Sequence, residues 1–467
     1  MKEGRGPGEP GFEAGGHAGA RAEDRREILK LAWPIVLANS AVPLLGIADT
    51  AVIGNTGSVE ELGAIALGAL VFSFVYWSFG FLRMGTTGFT AQASGAGDEA
   101  EVRATLGRAL LLGAGIGVSL VILQAPIAWT ALNLLGATSE VESLTRAYFD
   151  VRIWGAPASL GTFAILGTLV GLGRTGDVLK TQILLNGLNI VLDVTFAGPL
   201  GMGVRGIALG TALSEWVTLA YGLLLVRAVL RERHADAEPF WPRERILDRV
   251  KARRTLGANA DIMIRTLFLL LGFAWFTNLG AGFGAETLAA NHVLLQLVSM
   301  SAYLLDGYAH ATEILVGRAV GARDVGTFDR AVRAASTLAA WSAIGLAATV
   351  LVLGGPATRA LTDLEPVRAV AQRFLPLTAL YVSVSFAAFQ LDGIFIGATG
   401  TREMRNASIL SCTAFIVASI ALSARWANLG LWIAFVLYVA IRALALGAWY
   451  PRLRRSVGDG IGGSLSG

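Results

Sequence analysis

The residues of this chain best placed to do chemistry are ionisable and amide side chains set inside apolar runs. Asp49 stands in the run 31–54, which also carries Pro34, Asn39 and Pro43. Asn186, Asn189 and Asp193 are spaced i, i+3, i+7 in a later run, which places them on one helix face. Thr211 and Glu215 follow in the next run. A second group comes from the other half of the chain: Asp261 and Arg265 at i, i+4, then Asp306, His310 and Glu313 at i, i+4, i+7, then Asp392. A carboxylate at the centre of a spanning helix costs roughly 2.5–3.5 kcal/mol on insertion scales, so such residues mark proton and ion pathways. The chemistry they offer is reversible binding of protons or cations. The four histidines show no metal-ligand spacing, and neither an HExxH nor a GxSxG pattern occurs. No metal, cofactor or catalytic residue is expected, and an embedded enzyme is disfavoured.

Each residue carries a functional and a structural reading. Asp49 reads as the proton- or ion-coupling carboxylate of a secondary exporter; the alternative is a carboxylate hydrogen-bonded to a neighbouring helix. Asp193 is either its partner or part of an inert network with Asn186 and Asn189. Asn39, Asn186 and Glu215 are candidates to line a cavity in the first half. Pro43, six residues before Asp49, frees a carbonyl and permits a kink, either a static one or one that bends with protonation. Asp261, Arg265, Asp306, His310, Glu313 and Asp392 read as a salt-bridged network around Arg265, with a gate or a second proton site as the alternative. His310 can relay protons because its unperturbed pKa is near neutrality. Arg83, expected near the cytoplasmic end, is available to neutralise an acid of the second half.

The elements that must position these groups are long apolar segments. The chain has 467 residues, 54% hydrophobic and 15% charged, against about 25% charged in an ordinary soluble domain. Twelve apolar runs can be drawn, near 30–54, 62–93, 107–131, 144–172, 179–199, 205–230, 257–280, 286–318, 331–354, 368–398, 405–425 and 428–450. Each reaches or approaches the ~20 residues a helix needs to cross a bilayer. The net charge of +4 does not indicate a nucleic-acid partner, because Lys and Arg concentrate in alternate loops. By that bias both termini face the cytoplasm. The single cysteine, Cys412, excludes an intrachain disulfide framework.

The longest polar stretch between runs, 231–256, divides them six and six. A gapless shift of 226 residues then superimposes the halves. Glu60, Ser73, Thr86, Gly95 and Asp98 fall on Glu286, Ser299, Thr312, Gly321 and Asp324, and Gly167, Gly171 and Thr175 fall on Gly393, Gly397 and Thr401. Asp49 falls on Trp275, so the second half lacks that carboxylate. An even number of spans per half keeps both halves in one orientation. The expected fold is an all-α integral membrane protein of twelve transmembrane helices in two six-helix lobes, related by a pseudo-two-fold along the membrane normal. The domains read as a disordered cytoplasmic tail (1–28), a first lobe (29–230), a cytoplasmic linker (231–256), a second lobe (257–452) and a cytoplasmic tail (453–467).

The stretches 42–54, 81–98, 184–216, 259–265, 304–313, 320–324 and 391–406 resemble the DinF branch of the multidrug and toxic compound extrusion (MATE) transporters, and the likeness covers about 29–450. It implies export of organic, often cationic and amphipathic compounds in exchange for inward H+ or Na+. It further implies that Asp49 is the coupling residue and that Asn189, Asp193 and Thr211 form a supporting cluster. The sodium-coupled branch keeps an acid in the middle of span 7, whereas Asp261 falls near its cytoplasmic end, which favours protons. Coupling would run by alternating access in a monomer of the cell inner membrane, with small organic molecules and lipid as its partners. A Na+-coupled exporter and a flippase for a lipid-linked substrate are the rival readings.

Overall fold

The computed structural model describes residues 14–41, 52–54, 57–135, 138–233 and 239–458. Its helices are α1 (Ala14–Ser40), α2 (Val59–Ser78), α3 (Phe81–Gly95), α4 (Glu99–Ile122), α5 (Gln124–Leu135), α6 (Ser139–Arg152), α7 (Ala156–Gly171), α8 (Thr175–Ala197), α9 (Gly203–Glu232), α10 (Arg243–Ile246), α11 (Arg249–Ala281), α12 (Ala285–Ala322), α13 (Val325–Leu361), α14 (Glu365–Gly397) and α15 (Thr401–Gly458). No strand occurs among the described residues. Helices α2 and α3 together form span 2, α4 and α5 span 3, and α6 and α7 span 4. Helices α8 and α9 are spans 5 and 6, and α11 to α14 are spans 7 to 10. Spans 11 and 12 share α15, broken at Ala427, whose backbone is non-helical at φ 46°, ψ −129°. Nine helices among the described residues are long and apolar enough to cross a bilayer. The longest of them holds two spans, α8 is diluted by its amides and acids, and span 1 runs partly through residues outside the description.

The two halves fold in one register. Under the shift of 226, Val59 maps on Ala285, Glu99 on Val325, Thr175 on Thr401 and Glu232 on Gly458, so these element ends coincide. The left-handed residues coincide as well: Gly97, Gly173 and Gly201 are matched by Arg323, Thr399 and Ala427, all with positive φ. Asp98 and Asp324 each cap the following helix, accepting the amide hydrogens of Glu101 and Thr327 at 3.0 and 2.9 Å. The hydroxyl and amide of Thr327 hold the Asp324 carboxyl below the usual carboxylate range. Packing repeats too: a Cβ on Gly167 would lie 2.5 Å from the Arg83 carbonyl oxygen, and one on Gly393 would lie 2.4 Å from that of Ala309, the repeat mate of Arg83.

The lobes meet where span 2 crosses span 8. A Cβ on Gly95 would lie 2.1 Å from the Arg318 carbonyl oxygen, and one on Gly321 would lie 2.0 Å from that of Gln92. These are repeat mates in exchanged roles, so the pseudo-two-fold axis passes between the two helices. Only residues without a side chain let backbones approach this closely. Hydrogen bonds cross the same seam: Gln92 Nε2 donates to the Gly397 carbonyl at 2.9 Å, and Arg318 Nη2 to the Leu172 carbonyl at 2.7 Å. The cross-lobe hydrogen bonds among the described residues run from mid-bundle to the end that carries the basic loops.

One expectation about the polar segments needs correction. The tail expected to be unstructured over 1–28 is helical from Ala14 onward. Ile28 is fully buried beside Leu31 and Val102, so the apolar face of span 1 begins earlier than the charges suggest. The linker of 231–256 is held by ion pairs. Arg245 pairs with Asp98 at 2.8 Å, Lys251 with Glu101 at 2.6 Å and Arg233 with Glu99 at 2.5 Å, which dock it on the first lobe.

Candidate functional site

The first-lobe cluster is assembled by spans 5 and 6, whose tight packing depends on Gly210. Asn189 and Asp193 lie one turn apart on span 5, fully buried and 1% exposed. Asn189 Nδ2 donates to Thr211 Oγ1 of span 6 at 2.9 Å, and that hydroxyl donates to the Ile207 carbonyl at 2.9 Å. Beside them the backbone of Gly210 faces Asp193: a Cβ there would lie 2.2 Å from Asp193 Oδ1. Asn186 is half-buried on the same face, and its Nδ2 finds no acceptor among the described residues. Asp49 and Pro43 lie outside the described residues. The structure therefore brings Asn189, Asp193 and Thr211 together, with Asn186 at their edge.

Glu215 does not stand open to a cavity. Arg152 of span 4 clamps it with two hydrogen bonds, Nη1 to Oε2 at 2.7 Å and Nη2 to Oε1 at 2.6 Å. The guanidinium also lies 5.0 Å from the Phe72 ring centre and 5.3 Å from that of Tyr76. Both charged partners are about 7% exposed, so the pair is an internal brace. Arg152 lies inside the apolar run 144–172, yet the sequence reading did not single it out. A carboxylate in the facing run was the available signal.

In the second lobe the expected single network divides in three. The i, i+4 pair of Asp261 and Arg265 is not made. Asp261 accepts from Arg405 at 2.6 Å and from the Thr401 hydroxyl at 3.1 Å, both of span 11. Arg265 instead bonds Asp392 of span 10, which Arg442 of span 12 approaches at 3.5 Å. Helix-face spacing fixed which residues could meet, and the packing of spans 10 to 12 supplied nearer partners. Asp306, His310 and Glu313 form the third cluster, and it faces the first lobe. His310 Nε2 lies 3.2 Å from Asp306 and 2.8 Å from Arg83 Nη1, its Nδ1 lies 3.0 Å from Glu313, and Asn39 Nδ2 donates to Asp306 at 3.0 Å. Asn39 thus joins this inter-lobe cluster. Arg83 is not at the end that carries the basic loops: it stands twelve residues from the end of α3, about 18 Å along the helix.

The repeat adds one contact that neither lobe reveals alone. Trp275 is the mate of Asp49, and Ser419 is the mate of Asp193. Trp275 Nε1 donates to Ser419 Oγ at 2.9 Å.

Comparison with known proteins fits this architecture. The model of the MatE family matches residues 34–195 and 262–422. The chain belongs to the MatE family. DNA damage-inducible protein F of Escherichia coli is 38% identical over 423 residues, 90% of this chain and 91% of that protein. A "Probable multidrug resistance protein NorM" of Deinococcus radiodurans is 29% identical over 90% of this chain and 94% of its own. A solved structure described as MATE in the bent conformation superimposes with a TM-score of 0.84 over 96% of this chain and 99% of its own, at 20% identity. Members of the family are transporters and not enzymes, and the two lobes described above are the family's architecture.

Proposed function

We propose that this MATE protein is a secondary active multidrug antiporter of the cell inner membrane. It exports organic, often cationic and amphipathic compounds in exchange for inward H+, by alternating access, with both termini cytoplasmic. Asp49 and Asp193 are the coupling groups. The observation that carries this reading is the bond between Trp275 and Ser419. Their repeat mates are the two first-lobe acids, which supports reading Asp49 and Asp193 as a functional pair. Acidic side chains within spanning segments mark proton and ion pathways. Asn189 and Thr211 support the pair without supplying a fixed positive charge.

The cycle follows from differential binding. Proton uptake from outside neutralises the first-lobe acids and lowers their affinity for a cationic drug, which leaves. Span 1 bends near Pro43, the lobes rock, and the protons are released inside. A ligand shifts such an equilibrium only through its unequal affinity for the two states. The seam from Gln92 to Arg318 supports an arrangement closed on the cytoplasmic side. Second-lobe acids matched by Arg265, Arg405 and Arg442 favour protons over a Na+ site there.

The test is efflux of ethidium from proteoliposomes driven separately by a pH gradient and by a Na+ gradient. The expected result is pH-driven efflux that Asp49→Asn abolishes while the variant still folds. Efflux driven only by Na+, or undiminished in Asp49→Asn, overturns the reading.

A further inference from the structure

A cavity of about 260 Å³ opens at the basic end, on the seam between the lobes. Its walls come from span 2, span 3, the start of span 7, the end of span 8 and the end of span 12. Four cations line it, Arg108, Lys251, Arg254 and Arg323, against one carboxylate, Glu101. Glu101 is already held by Arg108 at 2.5 Å and by Lys251 at 2.6 Å. Arg108 is 7% exposed, and its Nε is buried with no acceptor among the described residues. The Arg323 backbone amide donates to the Val320 carbonyl at 3.1 Å, its guanidinium lines the cavity, and the residue sits at φ 56° where its repeat mate is Gly97. A side chain at a left-handed position costs more than glycine does. In the second lobe that cost places a guanidinium at the cavity wall.

We propose that this seam cavity binds a phosphate-bearing anion, either the phosphodiester of an anionic lipid headgroup or a free phosphate. Bound there, the anion touches both lobes and favours the arrangement in which the basic end is closed. An excess of guanidinium and ammonium groups with hydrogen-bonding hydroxyls is phosphate chemistry. Thr105 and Ser456 supply the hydroxyls. The cavity carries an excess of positive charge, which does not suit an organic cation, so it is separate from the first-lobe acids. The stabilised state follows from geometry: Glu101 and Arg108 belong to the first lobe, Arg323 to the second, and Arg254 to the helix that leads from the linker into span 7, so parting the lobes opens the cavity. Only the identity of the leaflet that supplies a lipid rests on the orientation proposed above.

The experiment uses the full chain in phosphatidylcholine nanodiscs. Phosphatidylglycerol is added in one arm and inorganic phosphate in the other. Binding is read by titration, and amide hydrogen exchange is read at 92–97 and 320–324. Saturable binding with slowed exchange in both segments is expected. Arg254→Gln with Arg323→Gly should weaken it on the order of 30-fold, each basic group near an anionic headgroup contributing roughly fivefold. The Arg323→Gly change relieves the left-handed backbone, so folding is preserved, and Lys251→Gln gives an independent second variant. Protection by phosphate alone assigns the free anion, and protection only with phosphatidylglycerol assigns the lipid. Equal affinity in wild type and the double variant overturns the site. Binding that leaves exchange unchanged in both segments overturns the clamp. Neither readout involves transport, so the antiport reading stands or falls separately.

Discussion

At the positions where the first lobe carries Asp49 and Asp193, the second lobe carries Trp275 and Ser419, joined by a hydrogen bond of 2.9 Å. The same two places in the same fold thus hold ionisable groups once and a neutral pair once. The surroundings follow suit. Gly210 leaves room for the Asp193 carboxylate, and its mate in the second lobe is Val436, packed against the aromatic core around Phe276 and Phe435. Braces differ as well: Glu215 has one arginine, whereas Asp392 lies between Arg265 and Arg442. The duplication kept the backbone and let the side chains at these two positions diverge. A neutral hydrogen bond does not change with pH, so the second lobe gives proton binding no purchase at this position.

The largest test of that contrast is transport itself. Asp193→Asn should abolish pH-driven ethidium efflux in proteoliposomes, while Ser419→Ala and Trp275→Phe retain most of it. Equal losses in the two lobes would break the comparison.

Next in size is the brace. Arg152→Met should cost about 3–5 kcal/mol by leaving Glu215 buried without its partner. Adding Glu215→Leu should recover most of that loss, as read by denaturant unfolding in detergent. Arg442→Met should cost only about 1.5 kcal/mol, since Asp392 keeps Arg265.

Gly210→Ala sharpens the comparison further. Its methyl would displace Asp193, and efflux should fall roughly tenfold with little change in folding, because small misplacements of a functional group are costly. In the second lobe, Val436→Ala should leave efflux within about twofold of wild type, since Val436 packs against an apolar, aromatic core.

The smallest effect concerns the backbone. Ala427→Gly should stabilise the protein by about 0.5–1 kcal/mol by relieving a left-handed residue, and Gly201→Ala should destabilise it by a similar amount. Thermal unfolding of the two variants against wild type checks both signs.

Much of this was legible in the chain. Hydropathy fixed the number of spans, because a helix must cover the hydrocarbon thickness whatever its neighbours are. The 226-residue repeat was readable because glycines at close helix crossings and helix-capping aspartates tolerate little substitution. The helix face of Asn186, Asn189 and Asp193 followed from the 3.6-residue period, and so did that of Asp306, His310 and Glu313. Partners across helices were another matter. Nothing in the spacing of Asp261 and Arg265 announced that Arg405 and Asp392 would claim them, nor that Arg152 would reach Glu215 from sixty-three positions away in the chain. The placing of Asn39 and Arg83 on the second lobe's His310 cluster needed both lobes in position.

The sequence by itself therefore determined the architecture and its asymmetry, including the absence of a carboxylate opposite Asp49. Those features depend on periodicity and residue identity, which are local. Only the tertiary structure decided which charges neutralise which and that the repeat mates Trp275 and Ser419 touch. It also decided that the basic loops enclose a cavity on the seam. Each of these depends on how helices far apart in the chain cross, and crossing is set by packing that no single span encodes.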